Sequence, residues 1–180
     1  MMTEQILLYF LRREVEKRTT LPSFEEDQRI FNLLRKGTNC YAYAFRWHYF
    51  LRNGGNNYMP GFLSHTLPSI HYYTWDQLRA CTISDVRLTG LNIHEVGEYD
   101  EISSDAYRVG LSYGKYLSEG KDQCIFHYWR ENEDGSLSEK PCWNLEVSNG
   151  SEIMDNVLED YDQITYFEVE NKVRKRTISC

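Results

Sequence analysis

Apolar residues recur at helical spacing along the first fifty positions. Over residues 4–18, Ile6, Leu7, Phe10, Leu11 and Val15 fall on one side of a helix and predict a face that must be covered. Leu21-Pro22 closes the approach to a second helix. Ser23 opens it, and Ser23 with Glu26 three residues on has the form of a capping box. Ile30, Phe31, Leu33 and Leu34 are its expected inner side, and Gly37 its stop. Asn39 or Thr38 then caps a third helix, predicted over residues 40–51. Tyr41, Ala42, Tyr43, Ala44, Phe45, Trp47, Tyr49 and Phe50 make that segment apolar nearly all round, the pattern of a central, buried helix.

Downstream the period changes. Residues 53–73 carry Gly, Asn, Pro60 and Pro68 and read as a long loop of the kind that lines a site. Thr74-Trp75-Asp76-Gln77 is a capped start for a short helix to about Cys81. Residues 92–105 are polar and acidic. From Tyr107 the alternation is that of strands: Tyr107, Val109, Leu111 and Tyr113 lie on one face. Over residues 123–130, Cys124, Phe126 and Tyr128 alternate with Ile125, His127 and Trp129. Asn132-Glu133-Asp134-Gly135 is a hairpin turn. Residues 137–147 return, broken by Pro141, and residues 164–169 form a last strand. Helices followed by an antiparallel sheet predict an α+β fold without repeats or low-complexity linkers.

A chain of 180 residues with 41% hydrophobic and 14% aromatic content suffices for one domain with a real core. Fourteen Tyr and four Trp predict an aromatic interior. A formal charge of −7 argues against nucleic-acid binding, which needs a basic face. The basic run Lys172-Val173-Arg174-Lys175-Arg176 reads as a solvated tail. Five irregularly spaced cysteines without a CxxC pair predict reduced thiols rather than a disulfide scaffold. Cys124-x-x-His127 is half of a zinc site with no second half, so neither a metal nor another cofactor is expected. No stretch approaches a membrane span. Ile6-Leu7-Leu8-Tyr9-Phe10-Leu11 is too short for a secretory segment, follows Glu4 and lacks a cleavage site. The expected location is the cytoplasm, or export without a cleavable signal. Asn149-Gly150-Ser151 fits a glycosylation sequon and is read as a turn.

Cys40 stands where a loop becomes a helix. Unpaired N–H groups and a partial positive charge at such a place favour thiolate, the nucleophile of cysteine hydrolases. The chemistry also needs an imidazole, a group that orients it, and oxyanion donors. The Cys40 N–H and Asn39 are candidate donors, with helix capping as the default role of Asn39. Of five histidines, His48 is expected inside the third helix and out of reach, His65 and His71 in the long loop, and His94 in a polar connection. His127 lies on a strand, which gives the precision a base requires. Glu139, Asn144 and Glu146 are the polar choices on the returning segment. The bland alternative for Cys40 is a small buried residue; Asp85 and Asn144 read as structural. Cys81, Cys124, Cys142 and Cys180 read as inert or surface thiols.

Two blocks sharpen this choice. Asn39-Cys40-Tyr41-Ala42-Tyr43-Ala44 resembles the opening motif N-C-Y-A-Y-A of a group of bacterial papain-like (NlpC-type) cysteine peptidase-fold proteins. Residues 127–141 resemble, without a gap, that group's H-[FW]-Y-R-x-[DN]-x-[DN]-G-x-W-S-H-K-P. Residues 84–91 resemble its D-G-L segment with an insertion, and residues 161–169 its closing strand. The resemblance implies a papain-like domain over 37–170, with 1–36 as a helical extension packed on it and 171–180 as a basic tail. It implies Cys40 as nucleophile and His127 as base, acting on an amide of a protein or peptide. Peptidase, deamidase and transglutaminase chemistry all fit, and a role as a bacterial effector. The group's second histidine is here Glu139, a residue that either orients His127 or marks a drifted site. In the second case the fold serves as a non-catalytic interaction module.

Overall fold

A computed structural model describes residues 4–18, 20–33, 38–48, 59–67, 72–118, 121–140, 146–149 and 161–170. Helices α1 to α4 span Glu4–Lys17, Phe24–Leu33, Cys40–Ala44 and Trp75–Leu88. Strands β1 to β6 span Ile93–Val96, Ala106–Ser118, Lys121–Glu131, Leu137–Glu139, Ser148–Asn149 and Gln163–Glu170. They form one antiparallel sheet in the order β1-β6-β2-β3-β4-β5. The fold is mixed α+β, as the change of period predicts. Among the described residues no helix is long and apolar enough to cross a membrane.

α1 buries Leu7, Leu11 and Val15, a stripe at spacing four, in the main core. Ile6 and Phe10, expected on the same face, flank that stripe and are exposed. α2 departs further from expectation. Phe31 is buried, Ile30 is half-buried, and Leu33 is 83% exposed. One turn before Phe31 the inward position is Asp27, fully buried. Its pairing with the buried Arg46 and Arg130 turns this face of the helix inward. The expected Leu34 and Gly37 lie outside the described residues.

α3 is the largest correction. It has five residues and ends at Ala44, not near residue 51. Arg46 takes φ +56, the Arg46 N–H donates to the Tyr43 carbonyl (3.0 Å) and the Trp47 N–H to the Ala42 carbonyl (2.8 Å). That pair of bonds is a Schellman stop. A left-handed residue other than glycine costs about 1–2 kcal/mol, and the buried guanidinium of Arg46 offsets it by pairing with Asp27 at 3.0 Å and with the Thr20 carbonyl at 2.9 Å. The segment is nonetheless buried and central: Tyr41, Phe45 and Trp47 pack against one another, with the Tyr41 ring edge to face on both neighbours.

α4 starts on the expected capping box of Thr74 and Gln77 but runs on to Leu88. Its inner face is Leu78, Cys81, Thr82, Asp85 and Val86. Two polar members interrupt the apolar period that would reveal its length. Across the sheet, Tyr107, Val109, Leu111 and Tyr113 are buried as their alternation predicts. Gly110 lies opposite Trp129, and a Cβ there would come within 2.1 Å of the indole. The hairpin turn ends on Gly135 at φ +79 and leads into β4.

Candidate active site

The site is assembled from α3, β3 and β4. Asn39 is the N-cap of α3: its Oδ1 accepts the Ala42 N–H at 3.0 Å, and its carbonyl accepts the Tyr43 N–H at 3.0 Å. This cap uses the N–H groups of Ala42 and Tyr43 and leaves those of Cys40 and Tyr41 outside it. The Asn39 oxygen faces the helix. Cys40, the first residue of α3, is 8% exposed. Five residues sum to little macrodipole, so the charge beside the sulfur must come from elsewhere.

It comes from His127. Residues 129–131 of β3 pair with β4 in register, with Trp129 opposite Glu139. His127 is therefore the diagonal cross-strand neighbour of Glu139 on one face of the sheet. The His127 Nε2 and the Glu139 Oε2 share a hydrogen bond. The Ser148 hydroxyl donates to the other carboxylate oxygen at 3.2 Å. His127, 8% exposed, also stands close enough to Cys40 for the thiol to act on its charge. Burial pushes the imidazole pKa down. Hydrogen bonds and charge from Cys40 and Glu139 outweigh this and raise it from 6.5 to about 10. The structure thus brings together Cys40, His127, Glu139 and Asn39.

The other histidines stand elsewhere. His48 follows α3 rather than lying within it; its Nδ1 is 2.6 Å from Glu14, and its ring packs on Phe31. His65 is exposed at φ +56, and His94 faces Glu168 at 3.4 Å. His71, Asn144, Cys142 and Cys180 lie outside the described residues. Glu146 is exposed and Cys124 half-buried. Burial pushes the Cys81 thiol up, away from reactivity. Asp85 is buried and accepts the N–H groups of Gly61 (2.8 Å) and Ser64 (2.7 Å) and the Tyr41 hydroxyl (3.3 Å). It pins the 61–64 segment to α4 beside the residue after Cys40. Among the described residues no three His, Cys, Asp or Glu side chains are placed to hold a metal ion.

A buried polar chain missed by pattern reading holds these parts in place. Asp27 of α2 meets Arg130 of β3 at 2.6 Å, both fully buried. Arg130 lies 4.2 Å over the Tyr43 ring and donates to the Tyr43 carbonyl (3.2 Å) and hydroxyl (3.0 Å). The Tyr43 hydroxyl donates to Ser138 Oγ (2.8 Å), and Ser138 to Asn132 Oδ1 (3.0 Å). Tyr43 is three residues after Cys40, and Ser138 is next to Glu139. The chain therefore sets the sulfur-bearing helix against the carboxylate-bearing strand. Its one legible signal is the charge of Arg130 among the inward apolar positions of β3.

Comparison with known proteins returns no match: no family model matches the chain, and no curated protein or solved structure matches it significantly.

Proposed function

We propose that the protein is a thiol-dependent hydrolase or acyl transferase of papain-like type, acting on an amide bond. The observation that carries the reading is His127, hydrogen-bonded to Glu139 and standing beside Cys40. Those are the contacts a nucleophile, a base and its orienting group require. The residues also agree with the resemblance of both sequence blocks to the NlpC-type group.

Glu139 takes Nε2 of His127, and Nδ1 is the nitrogen left for the sulfur. The raised imidazole holds its proton at neutral pH and so places a positive charge beside the sulfur. Cys40 Sγ attacks the amide carbonyl carbon. The Cys40 N–H and Asn39 Nδ2 donate to the oxygen that becomes negative; each such donor contributes on the order of 2.7–4 kcal/mol in hydrolases. As the tetrahedral adduct collapses, the C–N bond breaks and His127 delivers its proton to the leaving nitrogen. Water or an acceptor amine then attacks the thioester and gives a proton to His127. The sulfur leaves as thiolate, and the starting state returns. Glu139 keeps the ring in one orientation and stabilises its charged form throughout.

Limiting iodoacetamide at pH 6, with the label mapped by mass spectrometry, tests this. The proposal expects alkylation concentrated on Cys40 and abolished by His127→Ala. Uniform labelling of all accessible cysteines contradicts it and favours an interaction module on the same scaffold.

A further inference from the structure

Three guanidinium groups gather inside the molecule, where the end of α1 and the turn after α3 meet β2 and β3. They belong to Arg18, Arg46 and Arg130, and all three side chains are buried, that of Arg18 with 6% exposed. Two carboxylates within the cluster serve them. Asp27 is divided between Arg46 at 3.0 Å and Arg130 at 2.6 Å. Glu14 meets the His48 Nδ1 at 2.6 Å and reaches Arg18 only at 3.4 Å. Glu26 approaches Arg46 to 3.9 Å from a half-exposed side chain, where water screens it. The interior thus holds three positive charges against two negative ones, and a proton on His48 would add to the excess.

Arg18 carries the shortfall. Its Nη2 donates to the Arg46 carbonyl at 2.5 Å and, at 3.4 Å, to Glu14. Its Nε and Nη1 are buried without a hydrogen-bond partner, and so is the Tyr107 hydroxyl. Tyr107 stands close enough to Arg18, Arg46 and Arg130 for their charges to act on that hydroxyl. Burial nonetheless pushes the hydroxyl up, so at neutral pH it is an O–H donor and not a phenolate. Burial pulls the Arg18 guanidinium down, and the neighbouring Arg46 charge adds to this. Nearly all buried donors in native proteins are satisfied. A water molecule here would accept the hydrogen bonds and leave the excess charge, whereas an anion answers both.

We infer that Arg18 Nε and Nη1, with the Tyr107 hydroxyl, form an internal site for one small monovalent anion of the halide class, chloride first. The uncompensated charge is a single unit, which a monovalent ion matches. A tetrahedral oxyanion would have to displace packed side chains, while a halide needs little more room than a water molecule. The inference does not depend on the thiol-hydrolase reading. Cys40 begins α3 and Arg46 follows its end, so the anion ties α1 to the far end of the segment that carries the sulfur.

The full chain is melted in sodium gluconate as chloride replaces gluconate at constant ionic strength, and chloride NMR linewidths are recorded on the same samples. The melting temperature should rise along a saturating curve, by about 5–10 °C once chloride stands a hundredfold above its dissociation constant. The protein should broaden the chloride line, and bromide should reverse the broadening. Arg18→Met keeps the bulk and removes the charge. It should abolish the chloride response and, in gluconate, melt no lower than wild type, because the unpaired charge is gone. Tyr107→Phe removes one donor and should weaken chloride binding on the order of tenfold; it carries the test if Arg18→Met does not fold. Arg79→Met, which removes a guanidinium paired with Glu95 at the surface, should keep the full response. Melting that is flat in chloride, without line broadening, means that water satisfies the donors and overturns the inference. A response undiminished in both Arg18→Met and Tyr107→Phe belongs to an adventitious ion only and also overturns it. If phosphate reverses the broadening at lower concentration than bromide does, the halide assignment falls.

Discussion

Glu139 brings a negative charge to His127. A carboxylate holds the imidazole proton more firmly than a neutral partner does. Glu139→Gln keeps a hydrogen-bond acceptor but removes the charge. It should slow Cys40 alkylation at pH 6 on the order of tenfold, since one unit of pKa corresponds to about 1.4 kcal/mol; the measurement is the pseudo-first-order rate with iodoacetamide. The same charge has a consequence for stability. Folding raises the His127 pKa from 6.5 to about 10, so the folded chain binds this proton more tightly than the unfolded one. The resulting stabilisation is complete below about pH 6.5, declines above it and is gone beyond about pH 10. The melting-temperature difference between wild type and His127→Gln should therefore shrink as pH rises from 6 to 10. A difference that is constant, or that grows, contradicts the pairing. The cap makes its own contribution. Asn39→Ala should destabilise the fold by roughly 1 kcal/mol, read from urea denaturation.

The site elements were legible where one residue type sets the structure, and hidden where a distant partner does. Asn39, Thr74 with Gln77, and the Asn132–Gly135 turn announce themselves because their bonds are local. The strand bearing His127 shows in its alternation. The length of α3 does not show, because its stop is Arg46 rather than glycine, held left-handed by an ion pair to a residue nineteen positions away. The length of α4 is masked by Thr82 and Asp85, which are buried but satisfied by the Tyr128 hydroxyl and by loop N–H groups. The inward turn of α2 is likewise set by Arg130 and Arg46 through Asp27. Asp27→Ala leaves two buried guanidinium groups without their carboxylate, a change that typically costs about 3–5 kcal/mol. Urea denaturation should show a loss of that size; a loss well below it would mean that the pairing is dispensable. Gly110→Ala drives a methyl into Trp129 and should cost about 1–3 kcal/mol by overpacking, read from the same denaturation curves.

At the scale of the whole molecule, the α+β class follows from the order of periods, but the strand order does not. β6, last among the described elements, lies between β1 and β2, and nothing local in residues 163–170 selects those neighbours. The α1 side chains Leu7, Leu11 and Val15 share one core with Cys40, Tyr41 and Tyr128, and α2 supplies Asp27 to the chain that reaches Ser138. The first two helices are therefore tied to the segment that carries Cys40, α1 through the core and α2 through the polar chain. The account as a whole comes down to whether an imidazolium and a thiolate face each other at the start of α3. The most direct measurement is the rate of Cys40 alkylation by iodoacetamide across pH, in wild type and in His127→Ala. The pairing predicts a wild-type rate at pH 6 within about threefold of that at pH 8, and a His127→Ala rate that climbs roughly tenfold per pH unit, as an ordinary thiol does. A wild-type rate that climbs in the same way as the variant contradicts it.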